Sequence, residues 1–174
     1  KSAANAPLWG ALYRQYFEEI QQVTASKGAL QVEKKLFVER NNGQRIELQP
    51  VTDGNPLHKG DKVIVRLTLR ADRDMEYVHL KDLRAGCFEP AEQLAGTTFK
   101  DGLWMYHSPE DAAEQFFIHR LPKGTFVMEY SLYVDRTGNY SGGISTIQCL
   151  YAPEFISNTA GSKLRLMPSI SNKR

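Results

Sequence analysis

The sequence predicts an all-β fold, an antiparallel β-sandwich of immunoglobulin or fibronectin kind, and three observations carry that reading. Thr125 to Asp135, TFVMEYSLYVD, sets Phe126, Met128, Tyr130, Leu132 and Val134 on alternate positions, with Glu129 and Ser131 between them. A period of two is that of a strand with one buried face and one wet face. Other alternating stretches recur along the chain, separated by Gly, Pro, Asn and Asp turn signals. After Gly28 no helical pattern separates the strands, as the crossovers of a parallel sheet would require.

Taken in order, Lys1 to Pro7 is small and polar and is expected to be loose. Leu8 to Val23 carries Trp9, Leu12, Tyr13, Tyr16, Phe17, Ile20 and Val23 at the spacing of a helical stripe. Its first half also alternates as a strand would, so helix and strand both stay open. Residues 1–28 are read as an N-terminal segment, 29–168 as the sandwich domain and 169–174 as a polar tail. Leu30, Val32, Leu36 and Val38 alternate, and the Lys34-Lys35 pair among them suggests an edge or a bulge. Asn41-Asn42-Gly43 is a turn signal. A short strand from Arg45 to Gln49 follows, with Ile46 and Leu48 expected inward.

Lys62 to Ala71 alternates Val63, Val65, Leu67 and Leu69 with Ile64, Arg66, Thr68 and Arg70. Met75 to Leu83 reads as a strand with Tyr77 and His79 on one side and Val78 and Leu80 on the other. Arg84 to Thr98 is irregular. The Asp101-Gly102 turn leads into a short aromatic strand, Leu103 to His107. In Ala113 to Arg120, Phe117 and His119 share one face, Phe116 and Ile118 the other. Thr146 to Leu150 and Lys163 to Met167 supply the remaining strands.

With 174 residues the chain holds one domain, or one domain and an attached segment, and is expected to be a fragment of a longer protein since it opens on Lys1. A net charge of +2 gives no strong attraction for nucleic acid or an anionic membrane. The run Arg66, Arg70, Arg73, Lys81, Arg84 is interleaved with Asp61, Asp72, Asp74, Glu76 and Asp82, so its charge largely cancels. No apolar run approaches the roughly 18 residues of a membrane-spanning helix.

Chemistry is sparse. His58, His79, His107 and His119 sit in four different local settings, and none belongs to an H-x-x-x-H or H-E-x-x-H pattern. The chain has no C-x-x-C, no G-x-S-x-G and no Gly-rich loop entering a helix. No catalytic residue, metal ligand or cofactor site is therefore assigned. Asp72 and Asp74 are either half of a calcium loop or a solvated turn. Cys87 and Cys149 either pair or act as small buried hydrophobes. Cys87-Phe88-Glu89-Pro90 falls one residue short of the C-x-E-Q that forms an internal thioester, because Pro90 has no carboxamide to supply the acyl group. Trp104 and Tyr106 lie two apart beside a Gly turn and share one face of a strand. That pair is either an exposed platform for a sugar or a protein, or a cap on the core.

Five segments, VEKKLFVER, DRDMEYVHLKDLRAGCFEP, DGLWMY, LPKGTFVMEYSLYVDRTGNYSGG and TIQCLYAPEF, together resemble the last macroglobulin-like domain of bacterial alpha-2-macroglobulins. The resemblance runs from about Leu30 to Phe155. WGALYRQYFE is similar to the final strand of the CUB-like domain that precedes this one in such proteins, which would make Leu8 to Phe17 a strand in the intact molecule. What the resemblance implies is a C-terminal domain without catalytic residues, packed against thioester-type and CUB-like domains of the same polypeptide. The parent would be a protease trap of the cell envelope or periplasm, with or without a lipid anchor. In thioester-bearing members an aromatic side chain of this domain can help keep water off the thioester, and by position Tyr106 or Trp104 is the nearest candidate here. The reading of a different class is a free-standing adhesion or carbohydrate-binding sandwich built on the same pair.

Overall fold

A computed structural model describes residues 17–41, 43 and 45–168. The helix-or-strand question over Leu8–Val23 falls mostly outside them; among the described residues the only helical turn is a 3-10 turn at Ile20–Gln22. The rest is strand: β1 (Leu30–Asn41), β2 (Ile46–Pro50), β3 (Leu57–His58), β4 (Lys62–Ala71), β5 (Met75–Leu83), β6 (Phe88–Pro90), β7 (Gly96–Lys100), β8 (Leu103–Pro109), β9 (Ala113–Leu121), β10 (Gly124–Val134), β11 (Gly138–Ser141), β12 (Ser145–Cys149), β13 (Ile156–Asn158) and β14 (Lys163–Met167).

Two sheets face each other, a five-stranded one in the order β2-β1-β4-β10-β6 and a six-stranded one in the order β13-β12-β5-β9-β8-β7. A small third sheet, β11-β14-β3, adds to them. Pairing is antiparallel with one exception: β14 runs parallel to β3, setting Leu166 beside Leu57. Both of those side chains are buried in the common core.

The core is what the alternation dictates. β4 buries Val63, Val65, Leu67 and Leu69, and β10 buries Met128, Leu132 and Val134 beside them. From the six-stranded sheet come Val78, Leu80, Met105, Phe116, Ile118 and Ile147. Each such side chain gains roughly 1.5–3 kcal/mol in gross transfer terms. Asp101 and Gly102, with φ of 52° and 82°, make the two-residue turn between β7 and β8. Positive φ at both central residues matches the right-handed twist of a hairpin, and Asp-Gly tolerates it.

Four expectations are corrected. No bulge interrupts β1, whose register with β4 runs unbroken from Leu30↔Ala71 to Val38↔Val63. Lys34 thus keeps phase with Leu30, Val32 and Leu36 and points inward. Ile46 and Leu48 point outward and are exposed, because β2 pairs only with the far end of β1 and lies beyond the packed layers. The stretch taken as irregular contains β6 and most of β7, recruited by pairing with β10 and β8 rather than by any pattern of their own. Asp82, counted among the acids that cancel the basic run from Arg66 to Arg84, is fully buried and pairs instead with Lys34.

Candidate interaction surface

Between the sheets lies a buried polar cluster. Asp82 of β5 and Glu114 of β9 are direct cross-strand partners, and both are enclosed. Like charges placed so are costly unless each has its own cation. Lys34 of β1 donates from Nζ to Asp82 Oδ1 at 2.7 Å, Ser145 Oγ donates to the same oxygen at 2.9 Å, and the Tyr130 hydroxyl donates to Oδ2 at 2.5 Å. Burial, and then the neighbouring Asp82 carboxylate, hold the Tyr130 phenol well above its ordinary pKa. Glu114 is held by Arg84 Nη1 at 2.5 Å and by His107 Nε2 at 2.6 Å. Arg84 also donates to the carbonyls of Glu110 and Asp111. All four carboxylate oxygens are thus taken. Lys34 and Tyr130 reach across from the five-stranded sheet, so Asp82 pins the two sheets in one relative register.

On the opposite side of β5, β8 and β9 the side chains face out, and the strand register gathers them. Tyr106 lies opposite Phe117, Phe117 opposite His79, and His79 opposite Gln148, a row crossing four strands. The His79 and Phe117 rings stack at 4.6 Å with 10° between planes, and His79 Nε2 meets Gln115 Oε1 at 2.8 Å. Phe99 lies opposite Trp104, with ring centroids 5.2 Å apart. Tyr77 touches His119 at 4.8 Å and Tyr151 at 5.0 Å, both edge-on.

Tyr77 needs a special backbone to do this. Its φ is 54°, uncommon for a bulky side chain. Met75 and Val78 are both buried, three residues apart, so the alternation of β5 slips there; β9 slips with it, burying Ile118 and Leu121. The paired slip puts Tyr77 beside His119 on the outer face. Such a conformation costs on the order of 1–3 kcal/mol and persists only where its surroundings hold it.

Trp104 is 63% exposed and Tyr106 45% exposed. They belong to this outer face and do not cap the core. Phe99, Phe117, Tyr77, Leu150, Tyr151 and Ile156 are exposed with them. That Trp104 and Tyr106 share a face of β8 was legible in the sequence; their joining to Phe99, Phe117 and Tyr77 was not, because it depends on which strands become neighbours.

The remaining candidates are dispersed. His58 lies on β3, and His107 is the histidine of the buried cluster. Asp72 accepts from Arg73, and Asp74 accepts from the Lys123 amide and from Arg120, contacts that hold both carboxyls below their ordinary pKa. Cys87 and Cys149 are buried free thiols, and burial pushes the Cys87 thiol up to about 11. Among the described residues, no helix is long and apolar enough to cross a membrane.

Comparison with known proteins gives one sequence family and a set of folds. Residues 30–154 match the family described as the bacterial alpha-2-macroglobulin MG10 domain. Comparison with curated proteins returned no match. Among solved structures, Salmonella alpha-2-macroglobulin reacted with methylamine is 18% identical with a TM-score of 0.65, over 84% of this chain and 10% of that one. Escherichia coli alpha-2-macroglobulin activated by porcine elastase is 16% identical with a TM-score of 0.66, over 84% of this chain and 14% of that one. Native Escherichia coli alpha-2-macroglobulin from domain MG7 to the C-terminus is 15% identical with a TM-score of 0.64, over 83% of this chain and 24% of that one. The likeness is one of fold, and this chain spans less than a quarter of each of these structures. A family match over more than two thirds of the residues, on a sandwich with the same fold as those structures, places the chain in the bacterial alpha-2-macroglobulin MG10 domain family.

Proposed function

We propose that this chain is the non-enzymatic C-terminal interaction domain of a bacterial alpha-2-macroglobulin-like protease trap, working by packing its aromatic sheet face against an upstream domain of the same polypeptide. The observation that carries the reading is that face, with Trp104, Tyr106, Phe99, Phe117 and Tyr77 in contact pairs on one side of a rigid sheet. A patch of large apolar side chains rimmed by polar ones is the mark of a contact surface, and aromatic anchors are the residues that dominate such contacts. The upstream partner is a thioester-type or CUB-like domain. Where the parent carries a thioester, Trp104 or Tyr106 is the side chain that excludes water from it. A protease is the target of the parent, a reading supported by the similar protein that was activated by porcine elastase. The parent belongs in the cell envelope or periplasm.

The test is Trp104→Ala and Tyr106→Ala in the intact parent, scored by capture of a protease on a native gel. Capture should fall while the melting temperature of the domain stays put. Unchanged capture in both variants, together with saturable binding in a glycan screen that Trp104→Ala abolishes, would replace this reading with a carbohydrate-binding one.

A further inference from the structure

We infer that residues 17–28 form a detachable strap, latched at Asn158 and Gly161 and hinged at Gly28, that holds the entering chain along the edge of the six-stranded sheet. The strap is fastened by a set of bonds converging on one short stretch. The Ser26 amide donates to the Asn158 carbonyl at 3.1 Å, and the Asn158 amide donates to Ser26 Oγ at 3.0 Å. Ser26 Oγ in turn donates to Asn158 Oδ1 at 2.8 Å, and Asn158 Nδ2 donates to the Thr24 carbonyl at 2.9 Å. Three residues on, the Gly161 amide donates to the Val23 carbonyl at 2.8 Å. Gly161 is shaped to this contact: a Cβ there would run into the Ile20 carbonyl oxygen and the Gln21 Cα.

What makes the strap detachable is how little retains it: among the described residues, these bonds, one from Gln31 Nε2 to the Gly28 carbonyl at 2.9 Å, and the half-burial of Gln21 and Val23. No residue from Phe17 to Gly28 is buried, and Phe17 and Ile20 present their apolar side chains to water. Solvent-exposed bonds without buried apolar contact define the segments that open locally, well below the cost of global unfolding. The hinge is equally defined. No backbone or side chain crowds Gly28, whose nearest neighbour to an added Cβ is 4.0 Å away. One residue later the Ala29 carbonyl accepts from the Asp72 amide at 3.0 Å, and the chain is committed to β1.

Latched, the strap covers the edge of β13, which would otherwise offer unpaired backbone groups to other chains. It also walls one side of a groove of about 530 Å³ floored by Val32, Lys34 and Leu36. Because β13 belongs to the sheet that carries the aromatic face, latching fixes residues 17–28 relative to that face, and release lets them pivot at Gly28. The strap does not depend on what docks on the aromatic face.

Amide hydrogen exchange on the whole chain tests this, with Thr159 as internal control because its amide bonds across the sheet to the Ser145 carbonyl. In the unaltered protein the Ser26 amide should exchange about a hundredfold or more faster than that of Leu67 in β4. In Gly161→Ala the Ser26 and Asn158 amides should exchange about tenfold faster still, with Thr159 and Leu67 within about twofold of their starting rates. Ser26→Ala, which removes two hydroxyl bonds and leaves the slot intact, should accelerate Asn158 in the same direction. Exchange of Ser26 at the rate of Leu67, or acceleration of Thr159 in step with Asn158, would show the segment to be an integral part of the sandwich and overturn the inference.

Discussion

On the outside of the five-stranded sheet, Lys62 lies 2.7 Å from Glu39, Arg66 lies 2.5 Å from Glu129, and Lys35 lies 2.9 Å from Glu33. The Arg66 guanidinium also covers the Phe37 ring at 4.4 Å. On the outside of the six-stranded sheet, the positions of the same pleat carry Tyr77, His79, Trp104, Tyr106, Phe117 and His119. One face pairs its charges and leaves Val127 and Tyr133 as scattered exposed apolar side chains. The other keeps apolar area in water, where its burial would release roughly 25 cal/mol per Å². The contrast is the ground for the proposed contact role: a partner gains less from a surface whose charges are already paired than from one whose rings are gathered and uncovered.

Both faces exist only if the layer between them is packed. Met128→Asp puts a charge in the middle of that layer and is expected to cost roughly 3–5 kcal/mol or more and unfold the domain. A variant with an unchanged melting curve would refute the register of β10, and with it the assignment of faces. Next in size is Asp82→Ala, which strands the Lys34 ammonium and the Tyr130 hydroxyl; a loss of about 3–5 kcal/mol in urea unfolding is expected, with partial recovery in Asp82→Leu combined with Lys34→Met. A loss under about 1 kcal/mol would mean the sheets are held by apolar packing alone.

The contrast itself is tested by a matched pair. Trp104→Ala and Arg66→Ala should each change stability by no more than about 1 kcal/mol, one an exposed ring and the other a half-exposed ion pair. Only Trp104→Ala should lower docking in the parent. If Trp104→Ala instead cost several kcal/mol, the ring would belong to the core and the two faces would cease to differ.

The smallest effect is electrostatic and confined to the charged face. The hydrogen bond from Lys62 to Glu39 raises the lysine pKa above its ordinary 10.5. A folded value above the unfolded one means that the contribution is fully present below pH 10.5 and is lost as pH rises through the folded value. Thermal melts between neutral and strongly alkaline pH should therefore fall less steeply in Glu39→Gln, by under about 1 kcal/mol at this exposure. An unaltered alkaline slope would remove Lys62 from the account.

Much of this architecture was legible in the residues, and the misses share a cause. Alternation in Lys62–Ala71 and Thr125–Asp135, and in Met75–Leu83 for Val78 and Leu80, named inward side chains, and Asp101-Gly102 named its turn. β6, β7 and β13 were missed because three to five residues carry too little pattern to stand alone. Lys34 and Asp82 were read by their charge, although each keeps phase with inward-facing neighbours: Lys34 with Leu30, Val32 and Leu36, and Asp82 with Leu80. The phase was the better guide.

By itself, then, the sequence determined which side chains share a face along each unbroken alternation, since that follows from the pleat of a single strand. Tertiary structure alone decided what each side chain meets. Neighbours across a sheet are set by register between residues far apart in the chain: Tyr106 reaches Phe117 through the β8–β9 pairing, and Lys34 reaches Asp82 through the stacking of two sheets. No local spacing encodes those meetings, because they are chosen by the packing of the whole core.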